Sequence, residues 1–272
     1  MVVFSDLDGS LLDHDTYDWR PARPALEILR KRDIPLVLVS SKTLAELADY
    51  RVQLQLRHPV VAENGAAMDV PADYFPGSTM LSTATISRDQ LQTVYNEVKV
   101  ANEFRCQAFY ELGVPGIVRE TGLTERKAMR ANDRKASEPI LWLDSEERAA
   151  LFSQEMQARG LRCTRGGRFL HLMADTGKDE AVRQLIDAYM RKWPGTTLTS
   201  VSLGDGPNDL GMLASTDIAV VIPGKHEHRM SLTTQKRVLR PTSPGPVGWN
   251  EAMLTLLAEQ QDVQRATHKD GE

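Results

Sequence analysis

The sequence predicts an α/β protein: a doubly wound parallel sheet interrupted by an inserted α+β domain. Three observations lead to that class. Short apolar runs alternate with helical patterns at the start of the chain and again towards its end. Between those stretches the texture changes to polar helices and a hairpin signal. The apolar runs are also followed by acidic or hydroxyl side chains, where a parallel sheet places its site.

The elements follow in order. Val2 to Phe4 is an apolar β-former run and reads as a buried strand. Pro21 to Arg32 reads as a helix, with Ala25, Leu26 and Leu29 on one face. Ile34 to Val39 is a second strand, Ser41 to Leu56 a second helix and Val60 to Ala62 a third strand. Asn64-Gly65 then signals a hairpin turn into Ala66-Ala67-Met68. Pro71 to Ser82, rich in Pro, Gly and Ser, reads as a boundary. Ser87 and Gln90 form a capping box before a helix with Leu91, Val94, Val98 and Ala101 inward. Thr124 to Ala131 is a polar helix, Ile140 to Leu143 a strand, and Ser145 to Arg159 a helix stopped by Gly160. Leu161 to Thr164 and Phe169 to Met173 flank Arg165-Gly166-Gly167-Arg168 as a hairpin. The alternation resumes with a helix over Lys178 to Met190, a strand over Thr199 to Leu203 and a short helix over Leu210 to Ala214. Ile218 to Val221 is a strand, Val247 to Leu257 a closing helix, and the polar residues from Gln261 are expected to fray. The expected organisation is a core of residues 1–82 and 173–272 with an inserted domain over 83–172.

Composition narrows the class. The chain has 272 residues, 41% hydrophobic and 26% charged, with a net charge of −4. A chain of this length buries roughly three quarters of its unfolded surface, so it needs no disulfide or structural metal. The balance excludes collagen-like, disordered and membrane-spanning classes, and it lacks the basic footprint of a nucleic-acid binder. Cys106 and Cys163 form no C-x-x-C and read as thiols in a reducing compartment. The N-terminal apolar run ends at Phe4, too short for a signal-peptide core, and no stretch of 18 apolar residues occurs. A cytoplasmic protein is expected, without membrane or nucleic-acid partners, as a monomer or weak homo-oligomer. His226 and His228 read as a solvated loop, since no third soft ligand lies near them.

The residues after the strands carry the chemistry. Asp6-Leu7-Asp8-Gly9-Ser10 follows the first, Ser40-Ser41-Lys42-Thr43 the second, and Gly204-Asp205-Gly206-Pro207-Asn208-Asp209 follows Leu203. Lys178 opens a helix after Thr176-Gly177. Carboxylates brought together repel and need protons or a cation. An all-oxygen site selects Mg²⁺, which binds through one or two carboxylates plus a substrate phosphate. Lys178 would add positive charge, and Ser40 a hydrogen bond, for phosphoryl oxygens. Asp6 in line with phosphorus would act as nucleophile, and Asp8, two residues on, as the acid and base. An EF-hand reading from Asp6 fails, because Leu11 stands where that loop needs Gly and Tyr17 where it needs Glu.

These four strings resemble the motifs of the haloacid-dehalogenase superfamily of phosphatases, and the insert resembles its subgroup with an α/β (C2B-type) cap. Ser40-Ser41-Lys42-Thr43, Glu63-Asn64-Gly65 and Pro223-Gly224-Lys225 resemble the mannosyl-3-phosphoglycerate phosphatases within it. The resemblance implies a Rossmann-like core and a Mg²⁺-dependent phosphomonoesterase acting through an aspartyl-phosphate. Its substrate would be a small phosphorylated metabolite, 2-O-mannosyl-3-phosphoglycerate or a relative. It implies Mg²⁺ on the Asp6 carboxylate, the Asp8 backbone carbonyl and the Asp205 carboxylate, with Asp209 orienting a water or Lys178. Ser10 stands where the first motif usually has Thr, and Ser40-Ser41-Lys42 where the wider subgroup has Thr-Gly-Arg. Both changes keep a hydroxyl.

The leaving group would be read by Lys42 and Asn208, and by Arg165 and Arg168, whose guanidinium forks suit a carboxylate. A surface turn with solvated arginines is the other reading of that hairpin. Glu63 and Asn64 are further candidates for a sugar, although Asn64 is already explained by its turn. Two other activities fit the same motifs: a phosphohexomutase on this scaffold, or a sugar-phosphate-binding protein without turnover.

Overall fold

In the computed structural model, which describes residues 1–75, 86–166, 168–224, 232 and 237–269, the helices and strands alternate as follows. The first stretch holds β1 (Val2–Ser5), α1 (Arg23–Lys31), β2 (Leu36–Val39), α2 (Leu44–Gln53), β3 (Val60–Ala62) and β4 (Ala67–Asp69). Next come α3 (Arg88–Ala101), β5 (Cys106–Ala108), α4 (Phe109–Thr121), α5 (Glu125–Asn132), β6 (Ser137–Trp142), α6 (Glu146–Gln157), β7 (Leu161–Gly166) and β8 (Phe169–Ala174). The chain closes with α7 (Lys178–Lys192), β9 (Ser200–Gly204), α8 (Leu210–Ser215), β10 (Ile218–Val221), β11 (Arg237–Leu239) and α9 (Gly245–Lys269). Among the described residues, no helix is long and apolar enough to cross a membrane. The chain divides into two compact units, residues 1–38 with 189–272, and residues 39–188.

The first unit is built on parallel strands in the order β11-β10-β9-β1-β2. Every residue of β1 is buried, as an uninterrupted apolar run requires of a strand covered on both faces. From β1 the chain passes to β2 on one side, and β9 pairs on the other, with Ser5 opposite Leu38 and Leu203. The strand order therefore reverses between β1 and β9, and the crevice beyond the carboxyl ends of these two strands is where doubly wound sheets bind ligands. Helices α1 and α9 pack together, tied by Arg32 Nη1 to the Leu257 carbonyl at 2.9 Å and by the Ala25 N–H to Asn250 Oδ1 at 3.0 Å. Trp249 of α9 is fully buried and donates to Ser5 Oγ at 2.9 Å, locking the last residue of β1.

The second unit contains the antiparallel hairpin β3–β4 and a four-stranded antiparallel sheet in the order β5-β6-β8-β7. Successive residues of β8 face opposite sides, as the pleat demands. Leu170 and Leu172 join a cluster with Leu91, Tyr95, Phe152 and Met156 from α3 and α6. Phe169 instead packs with Phe109, Ile117, Ala128 and Ala131 from α4 and α5. Ser87 caps α3 through the expected box, accepting from Gln90 N at 3.3 Å while Gln90 Oε1 accepts from Ser87 N at 2.9 Å.

Several elements differ from expectation. Helix α2 starts at Leu44 rather than Ser41, because Thr43 and Glu46 form a capping box that leaves Ser40 to Lys42 in the loop. Strand β6 starts at Ser137 and runs through Pro139, one residue beyond its last pair with β5, where a missing N–H is tolerated. Strands β5 and β11 and helix α4 are additional. The backbone from Gln261 continues α9 to Lys269 instead of fraying. The stretch 76–82, the domain start at Thr83, Gly167, Lys225, His226 and His228 lie outside the described residues.

Candidate active site

Asp6 and Asp205 each stand one residue past a central strand, β1 and β9, and the Asp6 N–H donates to the Leu203 carbonyl at 2.9 Å. Carboxylate oxygens of Asp6, Asp205 and Asp209 all lie within 4.8 Å of one another. Asp209, buried on a short 3-10 turn, is aimed by its own loop: its Oδ2 accepts from the N–H groups of Asp205 at 3.1 Å and Gly206 at 3.0 Å. Ser10 Oγ donates to Asp205 Oδ1 at 3.2 Å. Gly9 makes this convergence possible. Its φ is +81°, and a Cβ there would sit 2.3 Å from Asp205 Oδ2. Asp8, partly buried, lies between Asp6 and this glycine, and Asn208, also partly buried, belongs to the Asp205 loop. Three carboxylates this close repel unless a proton or cation intervenes. The donor set is all oxygen, which fits a hard divalent cation such as Mg²⁺.

In the second unit, Ser40 and Lys178 meet the β3–β4 turn. Ser40 is almost fully buried, its N–H bound to the Val61 carbonyl and its carbonyl to the Asn64 N–H, both at 2.9 Å. Its Oγ accepts from Lys42 N at 3.2 Å. The turn itself has Glu63, Asn64 and Gly65 all at positive φ. Gly65 lies so close to the start of α7 that a Cβ would stand 2.3 Å from the Gly177 carbonyl oxygen and 2.9 Å from Lys178 N. Lys178, the first residue of α7, is only 2% exposed.

Glu63 is a correction to the sequence reading. Its carboxylate is fully buried and accepts from Lys135 N at 2.8 Å, Ala136 N at 3.1 Å and Ser137 Oγ at 2.6 Å. It anchors the start of β6 and is not offered to a sugar. Two residues unnoticed in the sequence, Arg134 and His171, are buried in the same unit. Burial holds the Arg134 guanidinium below its ordinary pKa, against the pull of Glu63. Burial, with the charges of Arg134 and Lys178, lowers the His171 pKa to about 3, so its ring is neutral. No sequence pattern marks either residue, because each lies inside an ordinary segment and acquires its environment through tertiary packing.

Arg165 and Arg168 flank the β7–β8 turn and are exposed. Arg165 Nη2 reaches both oxygens of Glu146, at 2.8 and 2.7 Å. Arg168 Nη1 donates to the Glu120 carbonyl.

The chain is similar to known proteins. Residues 3–152 match the family model of haloacid dehalogenase-like hydrolases. A glucosyl-3-phosphoglycerate/mannosyl-3-phosphoglycerate phosphatase of Methanococcoides burtonii is 34% identical over 96% of this chain and 99% of its own. Two solved structures share the fold. A phosphatase of the haloalkanoate dehalogenase superfamily from Bacteroides thetaiotaomicron superposes with a TM-score of 0.63 at 19% identity, covering 88% of this chain and 89% of its own. The sucrose-phosphatase of Synechocystis superposes with a TM-score of 0.61 at 16% identity, covering 94% and 97%.

Proposed function

The chain belongs to the haloacid dehalogenase-like hydrolases, and on that premise we propose that it is a Mg²⁺-dependent phosphatase of a glycosyl-3-phosphoglycerate, mannosyl-3-phosphoglycerate foremost. The observation that carries the reading is the meeting of Asp6, Asp205 and Asp209 at the carboxyl ends of adjacent parallel strands. The relative from Methanococcoides burtonii supplies the substrate class.

Mg²⁺ would be held by Asp6, Asp205 and the Asp8 backbone carbonyl, with Asp209 orienting the Asp205 loop. When bound, it offsets the carboxylate repulsion and draws negative charge from the phosphoryl oxygens. The Asp6 carboxylate attacks phosphorus, and the bond from phosphorus to the substrate oxygen breaks. Asp8 gives its proton to that leaving oxygen. Water then attacks the aspartyl-phosphate, Asp8 takes up a proton from it, and inorganic phosphate leaves with the Asp6 carboxylate restored. Ser40 donates a hydrogen bond, and Lys178 positive charge, to phosphoryl oxygens. Residues 83–172 form the specificity domain in this reading. Lys42 and Asn208 contact the substrate, and Arg165 and Arg168 do so on leaving Glu146 and Glu120.

Phosphate release from a panel of phosphosugars and glycosyl phosphoglycerates, with Mg²⁺ and with EDTA, tests the assignment. The expected result is turnover of the glycosyl-3-phosphoglycerates that EDTA removes and excess Mg²⁺ restores. Turnover indifferent to EDTA, or none on any phosphomonoester, overturns it.

A further inference from the structure

Ser5 carries a hydroxyl where the rest of its strand is apolar. β1 reads Val-Val-Phe-Ser, and all four residues are buried, Ser5 completely. A buried hydroxyl costs free energy unless its donor and its acceptor both find partners. Both do here: Ser5 Oγ donates to the Asp6 carbonyl at 2.7 Å and accepts from Trp249 Nε1 at 2.9 Å. The indole nitrogen can only donate. It therefore occupies a lone pair of the oxygen and leaves the hydroxyl proton turned towards Asp6.

The backbone of Asp6 is thereby fixed on both sides. Its N–H donates to the Leu203 carbonyl at 2.9 Å. Its carbonyl lies one residue past the last register pairs of β1, Ser5 with Leu38 and with Leu203, and takes the Ser5 proton instead. The same carbonyl belongs to the peptide that leads through Leu7 to Asp8. Helix α9, which supplies the indole, is anchored beside this loop. Asn250, next to Trp249, accepts from the Ala25 N–H at 3.0 Å. At Gly245, the first residue of α9, a Cβ would lie 3.9 Å from Asp13 Cα and 4.0 Å from the Gly9 carbonyl oxygen. All of these residues from β1, α1, β9 and α9 belong to the first compact unit.

We propose that Ser5 and Trp249 are positioning residues for the Asp6 nucleophile. The hydrogen-bonded chain from the indole through the Ser5 hydroxyl to the Asp6 carbonyl sets the angle at which the carboxylate meets phosphorus. Both side chains are fully buried, so they act through Asp6 and not on the substrate. This rests on the phosphatase reading above and brings the closing helix into it.

Single-turnover release of the leaving alcohol, with enzyme in excess over the phosphomonoester turned over fastest in the panel above, reads the attack by Asp6 alone. In Ser5→Ala the limiting rate constant is expected to fall about 10- to 100-fold, the effect of a small misplacement of a reacting group. The enzyme concentration giving half that rate should change less than about threefold, because ground-state binding is untouched. Trp249→Phe, which keeps an aromatic ring but no N–H, should lose about 3- to 10-fold. The double variant should be no slower than Ser5→Ala within about twofold, since both changes break one chain. Asn250→Ala loosens the docking of α9 without touching that chain and should keep the wild-type rate constant. Wild-type rates in Ser5→Ala or in Trp249→Phe overturn the proposal. So do losses that multiply in the double variant, or an equal loss in Asn250→Ala, which would assign the effect to helix docking. Absence of turnover by the wild-type chain would instead strike the phosphatase reading.

Discussion

Asp6→Asn is expected to reduce phosphate release at least about 10⁴-fold while the protein stays folded, the size of loss seen when a nucleophile is removed from a cooperating site. The amide keeps the side-chain volume but cannot form the acyl phosphate. The backbone at Asp6 is held by its bond to the Leu203 carbonyl, which the change does not touch. With the metal removed, the substitution also takes one charge from three carboxylates whose oxygens lie within 4.8 Å. Relief of that repulsion should leave the metal-free melting temperature unchanged or higher. Phosphate release and a thermal melt, run on the same preparation, check both halves. Residual turnover of a few per cent would show that another group attacks phosphorus.

The largest effect on stability is expected outside the reacting carboxylates. Glu63→Ala should cost about 3–5 kcal/mol, the penalty for breaking a buried charged network by removing one member. Three donors, from Lys135, Ala136 and Ser137, lose their only acceptor in that network. The nearby Arg134 guanidinium also loses the carboxylate that favours its charge. Urea unfolding of the two proteins measures the difference. A loss below about 1 kcal/mol would mean that water replaces the carboxylate at little cost.

The same residue shows where sequence reading stops. Glu63 sits beside Asn64-Gly65, and its polarity suggested a ligand contact. Its actual role depends on residues more than seventy positions away. The strands β1, β3 and β10 were legible because continuous apolar runs bounded by turn residues have few other uses. The capping boxes were partly legible. Ser87 and Gln90 were read as a pair, but the second helix was started at Ser41, whereas Thr43 caps it through Glu46. Helix α4 was missed because Gly113, at φ +60°, and Pro115 interrupt its helical pattern. The end of α9 was misjudged because Gln, Arg, Lys and Ala are polar or small yet favour helix.

Asp6, Asp205 and Asp209 were legible together because strand ends in a parallel sheet share one rim, so residues two hundred positions apart needed only the right offset from their strands. Arg134 and His171 carried no such signal. One follows a helix and the other lies mid-strand, and only the packing of β6 against β8 relates them.

The account depends on Asp6 and Asp205 sharing a divalent ion. Titration of the metal-free chain with Mn²⁺, a paramagnetic stand-in for Mg²⁺ followed by electron paramagnetic resonance, tests that directly. One tight site per chain, displaced by Mg²⁺ and lost in Asp205→Asn, is the predicted result. An undiminished site in Asp205→Asn, or no saturable binding to the wild-type chain, would contradict it.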